Sequence, residues 1–71
     1  MTVEEARRVL DSYFGPVYGG RSSGGRPFIV AEGAGGTFSL TPDQCYDVAD
    51  ALLTVASALE QGRRIEPEED E

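Results

Sequence analysis

The chain has 71 residues and a formal net charge of −7, with 39% apolar and 27% charged side chains. A chain of this length forms one domain at most and buries only about 60% of the surface it exposes when unfolded, which excludes a large enzyme core. It contains one Cys and neither His nor Lys. Hydrolytic triads, zinc sites and catalytic lysines need those residues, so we expect no catalytic residue, no metal, no cofactor and no enzyme activity.

The two ends of the chain are both acidic but predict different things. Residues 1–5 carry two Glu where a signal peptide would be basic, and no apolar run approaches the roughly 20 residues that span a bilayer. We therefore expect a cytoplasmic protein that does not bind membranes. Five of the last six residues are acidic, and such a run repels itself and has nothing to bury. This predicts a disordered acidic tail over residues 65–71, attached to a single domain over residues 1–64.

The N-terminal segment has the pattern of an amphipathic helix. Thr2 and Glu5 form a capping-box sequence, and Gly15-Pro16 supplies a stop. Opposite charges lie four residues apart, as in Arg7 and Asp11, and we expect them on a solvated face. The apolar residues recur at helical spacing and predict the buried face: Val3, Ala6, Val9, Leu10, Tyr13 and Phe14.

Residues 15–27 hold five Gly and two Pro. This composition favours a mobile loop, with at most a short edge strand at Val17-Tyr18. Two Arg in this loop, Arg21 and Arg26, lie amid flexible backbone and two Ser. They could bind an anion or a partner's carboxylates. The alternative is a linker that these Arg side chains keep solvated.

Two β-rich runs follow, residues 28–32 and 37–41, separated by the Gly-rich residues 33–36. This pattern predicts a β-hairpin with a four-residue turn. Side chains alternate between the two faces of such a hairpin, so one face can cover the core. Phe28 and Val30 would lie on the other face, where one small domain has no second layer to cover them.

The segment from Thr41 onward predicts a second, longer helix. Thr41-Pro42-Asp43-Gln44 combines a capping box with Pro at the first helical position, and Gly62 marks the end. From Cys45 to Leu59 eleven of fifteen residues are apolar, and the four others share one narrow stripe: Asp47, Asp50, Thr54 and Ser57. The apolar arc spans roughly 240°, more than the stripe of about 100° that a surface helix needs, so we expect this helix to be enclosed on more than one side.

The apolar arc of this helix divides into two rows. The first row runs through Cys45, Val48, Leu52, Val55 and Leu59, and the second through Tyr46, Ala49, Leu53 and Ala56. One row can pack within the chain and the other on a second subunit. We therefore predict a homodimer, with a protein interface that includes Phe28, Val30, Tyr46 and Leu53. Cys45 is expected to be a small buried core residue; the alternative is a thiol activated at the start of the helix.

The chain has Arg without Lys and is rich in Ala and Gly. One segment leads into an Ala- and Leu-rich one: Phe38-Ser39-Leu40-Thr41-Pro42-Asp43-Gln44 is followed by Val48-Ala49-Asp50-Ala51-Leu52-Leu53. In these features the chain resembles small uncharacterised proteins of high-GC actinobacteria and their phages, in which a strand runs through a Thr-Pro-acid cap into an Ala-rich helix. The resemblance covers roughly residues 28–61 and carries no activity. It implies a phage or accessory protein that acts by contact.

The sequence as a whole predicts an α+β domain: a helix, a β-hairpin with an optional third edge strand, a long C-terminal helix and a disordered acidic tail. Its leading functional interpretation is a non-catalytic protein–protein interaction module, a homodimer that binds a host or cellular protein and alters its action. The alternative is an acidic mimic that blocks a nucleic-acid-binding protein. Against mimicry, residues 1–65 carry 8 acids and 6 Arg and are nearly neutral. Direct nucleic-acid binding lacks the positive charge it requires. A third class is a small-ligand binder or thiol-dependent enzyme that uses Cys45 and the Arg loop.

Overall fold

The structure is a computed structural model that describes residues 1–33, 35 and 39–66. Two helices and two strands follow one another along the chain: α1 (Val3–Phe14), β1 (Val17–Arg21), β2 (Pro27–Ala31) and α2 (Pro42–Glu60). The strands form an antiparallel hairpin, and α1 packs along α2. The predicted α+β class is confirmed, with a first helix, a hairpin and a long last helix.

Both helices begin at the residues that the sequence predicts. In α1, Thr2 Oγ1 accepts a hydrogen bond from the Glu5 N–H at 3.1 Å. In α2 the capping box is complete, because Thr41 Oγ1 accepts from the Gln44 N–H at 3.3 Å and Gln44 Oε1 accepts from the Thr41 N–H at 2.9 Å. These contacts satisfy amide groups that have no partner within the helix. The Thr-led helix starts are therefore confirmed.

The hairpin is built from different strands than the sequence predicts. Residues 27–31 pair with residues 17–21, so that Tyr18 lies opposite Val30 and Gly20 lies opposite Phe28. The segment expected only as a short edge strand is therefore a full partner. Of the expected partner run 37–41, residues 39–41 lie outside any strand. The rest of that run and part of the expected turn lie outside the described residues.

Gly19 shows why a strand with a loop-like composition needs a glycine. Gly19 faces the helices, where an added Cβ would lie 2.6 Å from the carbonyl oxygen of Phe28 and 3.5 Å from Leu59 Cδ2. Glycine is needed there for close packing rather than for flexibility. The turn itself is closed by Ser22, whose N–H donates to the Arg26 carbonyl at 2.9 Å and whose Oγ accepts from the Arg26 N–H at 3.2 Å.

The C-terminal segment adds a second neighbour to β1. The Gly19 N–H donates to the Ile65 carbonyl at 2.7 Å, and the Ile65 N–H donates to the Gly19 carbonyl at 3.0 Å. Ile65 is 2% exposed and belongs to the core. The domain therefore extends past the predicted boundary at residue 64 and includes the first residue assigned to the tail. Residues 67–71 lie outside the described part of the chain.

The core lies where α1, the hairpin, α2 and the C-terminal segment meet. Its buried apolar residues are Ala6, Leu10, Val17, Val48, Ala51, Val55, Ala58, Leu59 and Ile65. Within α2 this buried set includes only part of the predicted first row, because Cys45 and Leu52 are exposed. The expectation that Cys45 is a core residue is therefore wrong. Among the described residues, no helix has the length and apolar character needed to cross a membrane.

One charged pair is partly buried rather than fully solvated. Arg7 is 7% exposed, and its Nη1 lies 2.6 Å from Asp11 Oδ2. The other carboxylate oxygen of Asp11 accepts a hydrogen bond from the Val17 N–H at 3.0 Å. The pair thus joins the last turn of α1 to the start of β1 across Gly15, whose φ of +76° suits glycine. The prediction of a solvated face is wrong for this pair, since the start of β1 lies beside Asp11 and residues 63–66 line a cleft with Arg7.

Candidate protein-interaction surfaces

The side of α2 that faces away from the core carries an exposed apolar row. We define the α2 outer face as Tyr46, Ala49, Leu53 and Ala56, which recur at spacings of three, four and three residues. All four are exposed, and the two large side chains are 72% (Tyr46) and 70% (Leu53) exposed. Residues at this spacing lie on one side of a helix. The second row predicted from the sequence is therefore left open.

The α2 outer face is open because the rest of the domain is too small to enclose α2. Within the described chain, α1 and the hairpin cover only the buried row of Val48, Ala51, Val55, Ala58 and Leu59. The neighbouring Leu52 is 43% exposed and extends the apolar surface on one flank. Of the four residues of the polar stripe, Asp47, Asp50 and Ser57 are exposed and Thr54 is half-buried.

A second surface lies at the far side of the hairpin. We define the hairpin cleft as the space lined by Tyr18, Gly20, Arg21 and Phe28 of the hairpin together with Gly62, Arg63, Arg64 and Ile65 of the C-terminal segment. It has a volume of about 700 Å³, and Gly19 and Glu66 complete its lining. Phe28 is 38% exposed within it. The cleft thus combines two aromatic rings with three guanidinium groups.

Arg21 binds the backbone rather than standing free for an anion. Its Nη2 donates to the carbonyl oxygens of Leu59 and Glu60 at 3.2 Å each, and its Nη1 donates to the Gly25 carbonyl at 2.7 Å. The last carbonyls of a helix lack intrahelical partners and carry partial negative charge, so a cation there stabilises the helix end. The predicted anion contact Arg21 is therefore a tie between the hairpin and the C-terminus of α2.

The predicted pair Arg21 and Arg26 is not brought together at one site. Arg26 is exposed at the hairpin turn and does not line the cleft. The cations beside Arg21 are Arg63 and Arg64, and Arg64 Nε lies 3.8 Å from the point where a Cβ on Gly20 would be. The approach of Arg64 to Gly20 depends on the return of the chain along β1, which no local pattern predicts.

The four predicted interface residues lie on two surfaces rather than one. Ile29 packs against the core, so the alternation of a strand directs Phe28 and Val30 to the opposite face of the hairpin. Val30 is half-buried there, opposite Tyr18. α2 packs on the inner face of the hairpin. Tyr46 and Leu53 are therefore separated from Phe28 and Val30 by the domain itself.

The described residues offer little chemistry beyond these two surfaces. They contain no group of three or more His, Cys, Asp or Glu that could hold a metal ion. Cys45 is exposed near the start of α2. Comparison with models of known protein families, with curated proteins and with solved structures found no match.

Proposed function

We propose that the protein is a non-catalytic protein–protein interaction module that forms a homodimer through the α2 outer face. The observation that carries this proposal is the exposure of Tyr46 and Leu53 on one continuous apolar row. Contiguous exposed apolar surface on a soluble domain is typical of an interaction site.

Burial of the α2 outer face would provide a modest driving force. A fully buried large apolar side chain contributes about 1.5–3 kcal/mol, from which the entropy lost on association is subtracted. The row contains only two large side chains per subunit. We therefore expect a weak, reversible dimer rather than an obligate one.

The hairpin cleft is a second candidate site, for a partner of different chemistry. Phe28 offers an apolar contact, while Arg63 and Arg64 make no ion pair with another described residue. An acidic protein segment that carries an apolar side chain would complement both features. The resemblance to small phage and actinobacterial proteins suggests a host protein as the source of that segment.

Light scattering of matched variants tests the dimer. Leu53→Asp places an unpaired charge in the proposed interface and should give a monomer at concentrations where the wild type is dimeric. Thr54→Asp makes the same substitution at the next residue, outside the α2 outer face, and should leave the dimer intact. A wild-type protein that stays monomeric at high micromolar concentration would contradict the homodimer.

A separate comparison tests the cleft. We expect Arg64→Glu to abolish capture of an acidic partner protein from the native host, whereas Arg8→Glu should retain it. Arg8 is an exposed Arg on α1 that makes only a 3.8 Å contact with Glu4. Equal loss in both variants would show that capture depends on overall charge and not on the hairpin cleft.

A further inference from the structure

We infer that α2 pairs with the α2 of a second copy in the antiparallel direction, about a two-fold axis at the level of Ala51. This inference rests on the proposed self-association and specifies its geometry. The starting point is the order of side-chain sizes along the α2 outer face, which alternates large and small: Tyr46, Ala49, Leu53 and Ala56.

The spacing of this row makes it complementary to itself when reversed. Residues separated by three, four and three positions occupy the a and d sites of a heptad, and in an antiparallel pair each a site faces a d site. Tyr46 then faces the partner's Ala56, and Leu53 faces the partner's Ala49. Every layer of the contact joins one large side chain to one small one. Such layers fill space evenly, as close packing requires.

The same register also aligns the ends of the two helices. α2 runs from Pro42 to Glu60, and Ala51 is its midpoint. The antiparallel register therefore sets Pro42 at the level of the partner's Glu60, so that the helices overlap along their full length. The positive end of each helix dipole then lies beside the negative end of the other, which favours this direction.

A parallel pair would use the α2 outer face poorly. It would set Tyr46 against Tyr46 and Leu53 against Leu53, and in the Ala49 and Ala56 layers the two small side chains would face each other across a gap. Poorly filled layers lose contact energy in proportion to the empty volume. In the antiparallel pair Leu52, which is 43% exposed on one flank, approaches its own counterpart near the two-fold axis. On the other flank the two copies of Asp50 approach each other, and their like charges oppose the contact.

Spin-label distances at two sites distinguish the directions. Asp43 and Asp50 are exposed residues seven positions apart, so they occupy the same heptad position. Each is replaced by Cys in a Cys45→Ser background, labelled, and measured by pulsed electron paramagnetic resonance. In the antiparallel pair the two copies of residue 50 are offset by only about 3 Å along the axis, whereas the copies of residue 43 are about 24 Å apart along it.

We expect a short distance at residue 50 and one at residue 43 that is longer by about 10–15 Å, with both signals lost in the Leu53→Asp variant. Equal distances at the two sites would show a parallel pair and overturn this inference, while leaving the proposed dimer in place. If neither site shows dipolar coupling, the inference is overturned, whether light scattering finds monomers or dimers. The α2 outer face would then not be the site of self-association either.

Discussion

α2 carries two apolar rows of similar composition in opposite environments. The buried row of α2, called the inner row below, includes Val48 and Val55 and packs against α1 and the hairpin. The α2 outer face, with Tyr46 and Leu53, is exposed. Helical periodicity shows that both rows are apolar, but it does not show which chain covers them. Whether a row is buried depends on how many other elements of the chain can pack against it, and here these are one helix and one hairpin.

The largest effect should come from the same charge placed on each row. Val55 is 1% exposed, so Val55→Asp would bury an unpaired carboxylate. This should unfold the domain, because small domains have a free energy of unfolding of at most about 5–15 kcal/mol. Leu53→Asp, two residues earlier, should keep the circular dichroism spectrum and thermal midpoint of a folded monomer. If Leu53→Asp also unfolded the domain, the α2 outer face would be part of the fold.

Truncation after Arg64 should have the next largest effect. It removes Ile65, which fills the core and makes both backbone hydrogen bonds to Gly19, so we expect a loss of about 2–4 kcal/mol. Truncation after Glu66 should leave the free energy of unfolding, measured by chemical denaturation, unchanged. Equal stability of the two truncated proteins would show that the inner row of α2 does not need this segment.

Gly19→Ala tests how closely the hairpin approaches the inner row. The added methyl group would lie 2.6 Å from the Phe28 carbonyl oxygen, and relief of that overlap should cost about 1–3 kcal/mol. Gly24→Ala is the matched control, since its nearest contact would be Ser22 Oγ at 3.9 Å. Urea denaturation of both variants gives the comparison, and equal stability would mean that β1 packs less tightly than described.

The smallest effect should come from Tyr46→Ala. In a dilute, monomeric sample this exposed side chain stabilises little, and the free energy of unfolding should change by less than about 0.5 kcal/mol. At high concentration the same variant should dimerise more weakly than the wild type. Val48→Ala, on the buried row, should instead lower stability at every concentration; the reverse pattern would exchange the roles of the two rows.

Local signals explain which elements the sequence predicts correctly. The start of α2 depends on Thr41 and Gln44, three residues apart, and the end of α1 on Gly15, so both are contained in a few neighbouring residues. Strand pairing depends on residues far apart in the chain. Gly19 and Gly20 have the composition of a loop, and only the positions of β2 and Leu59 show why the strand needs a glycine at position 19.

The candidate surfaces also differ in whether neighbouring or distant residues form them. Tyr46 and Leu53 are predictable because one helix contains the whole α2 outer face. The hairpin cleft is not, because Phe28 and Arg64 meet only after the chain has folded back on itself. The partly buried pair of Arg7 and Asp11 shows the limit of the helical pattern as well, since the same spacing fits a solvated pair and a partly buried one.

The two hydrogen bonds between Gly19 and Ile65 give this domain an internal reporter of local opening. Glycine amides in loops exchange their hydrogen with solvent quickly, but this one is buried and bonded to a segment more than forty residues away. Its exchange rate measures the undocking of residues 63–66, whereas amides within α1 or α2 report the opening of the whole core. A partner bound in the hairpin cleft would contact that same segment. Binding should therefore slow the hydrogen exchange of the Gly19 amide.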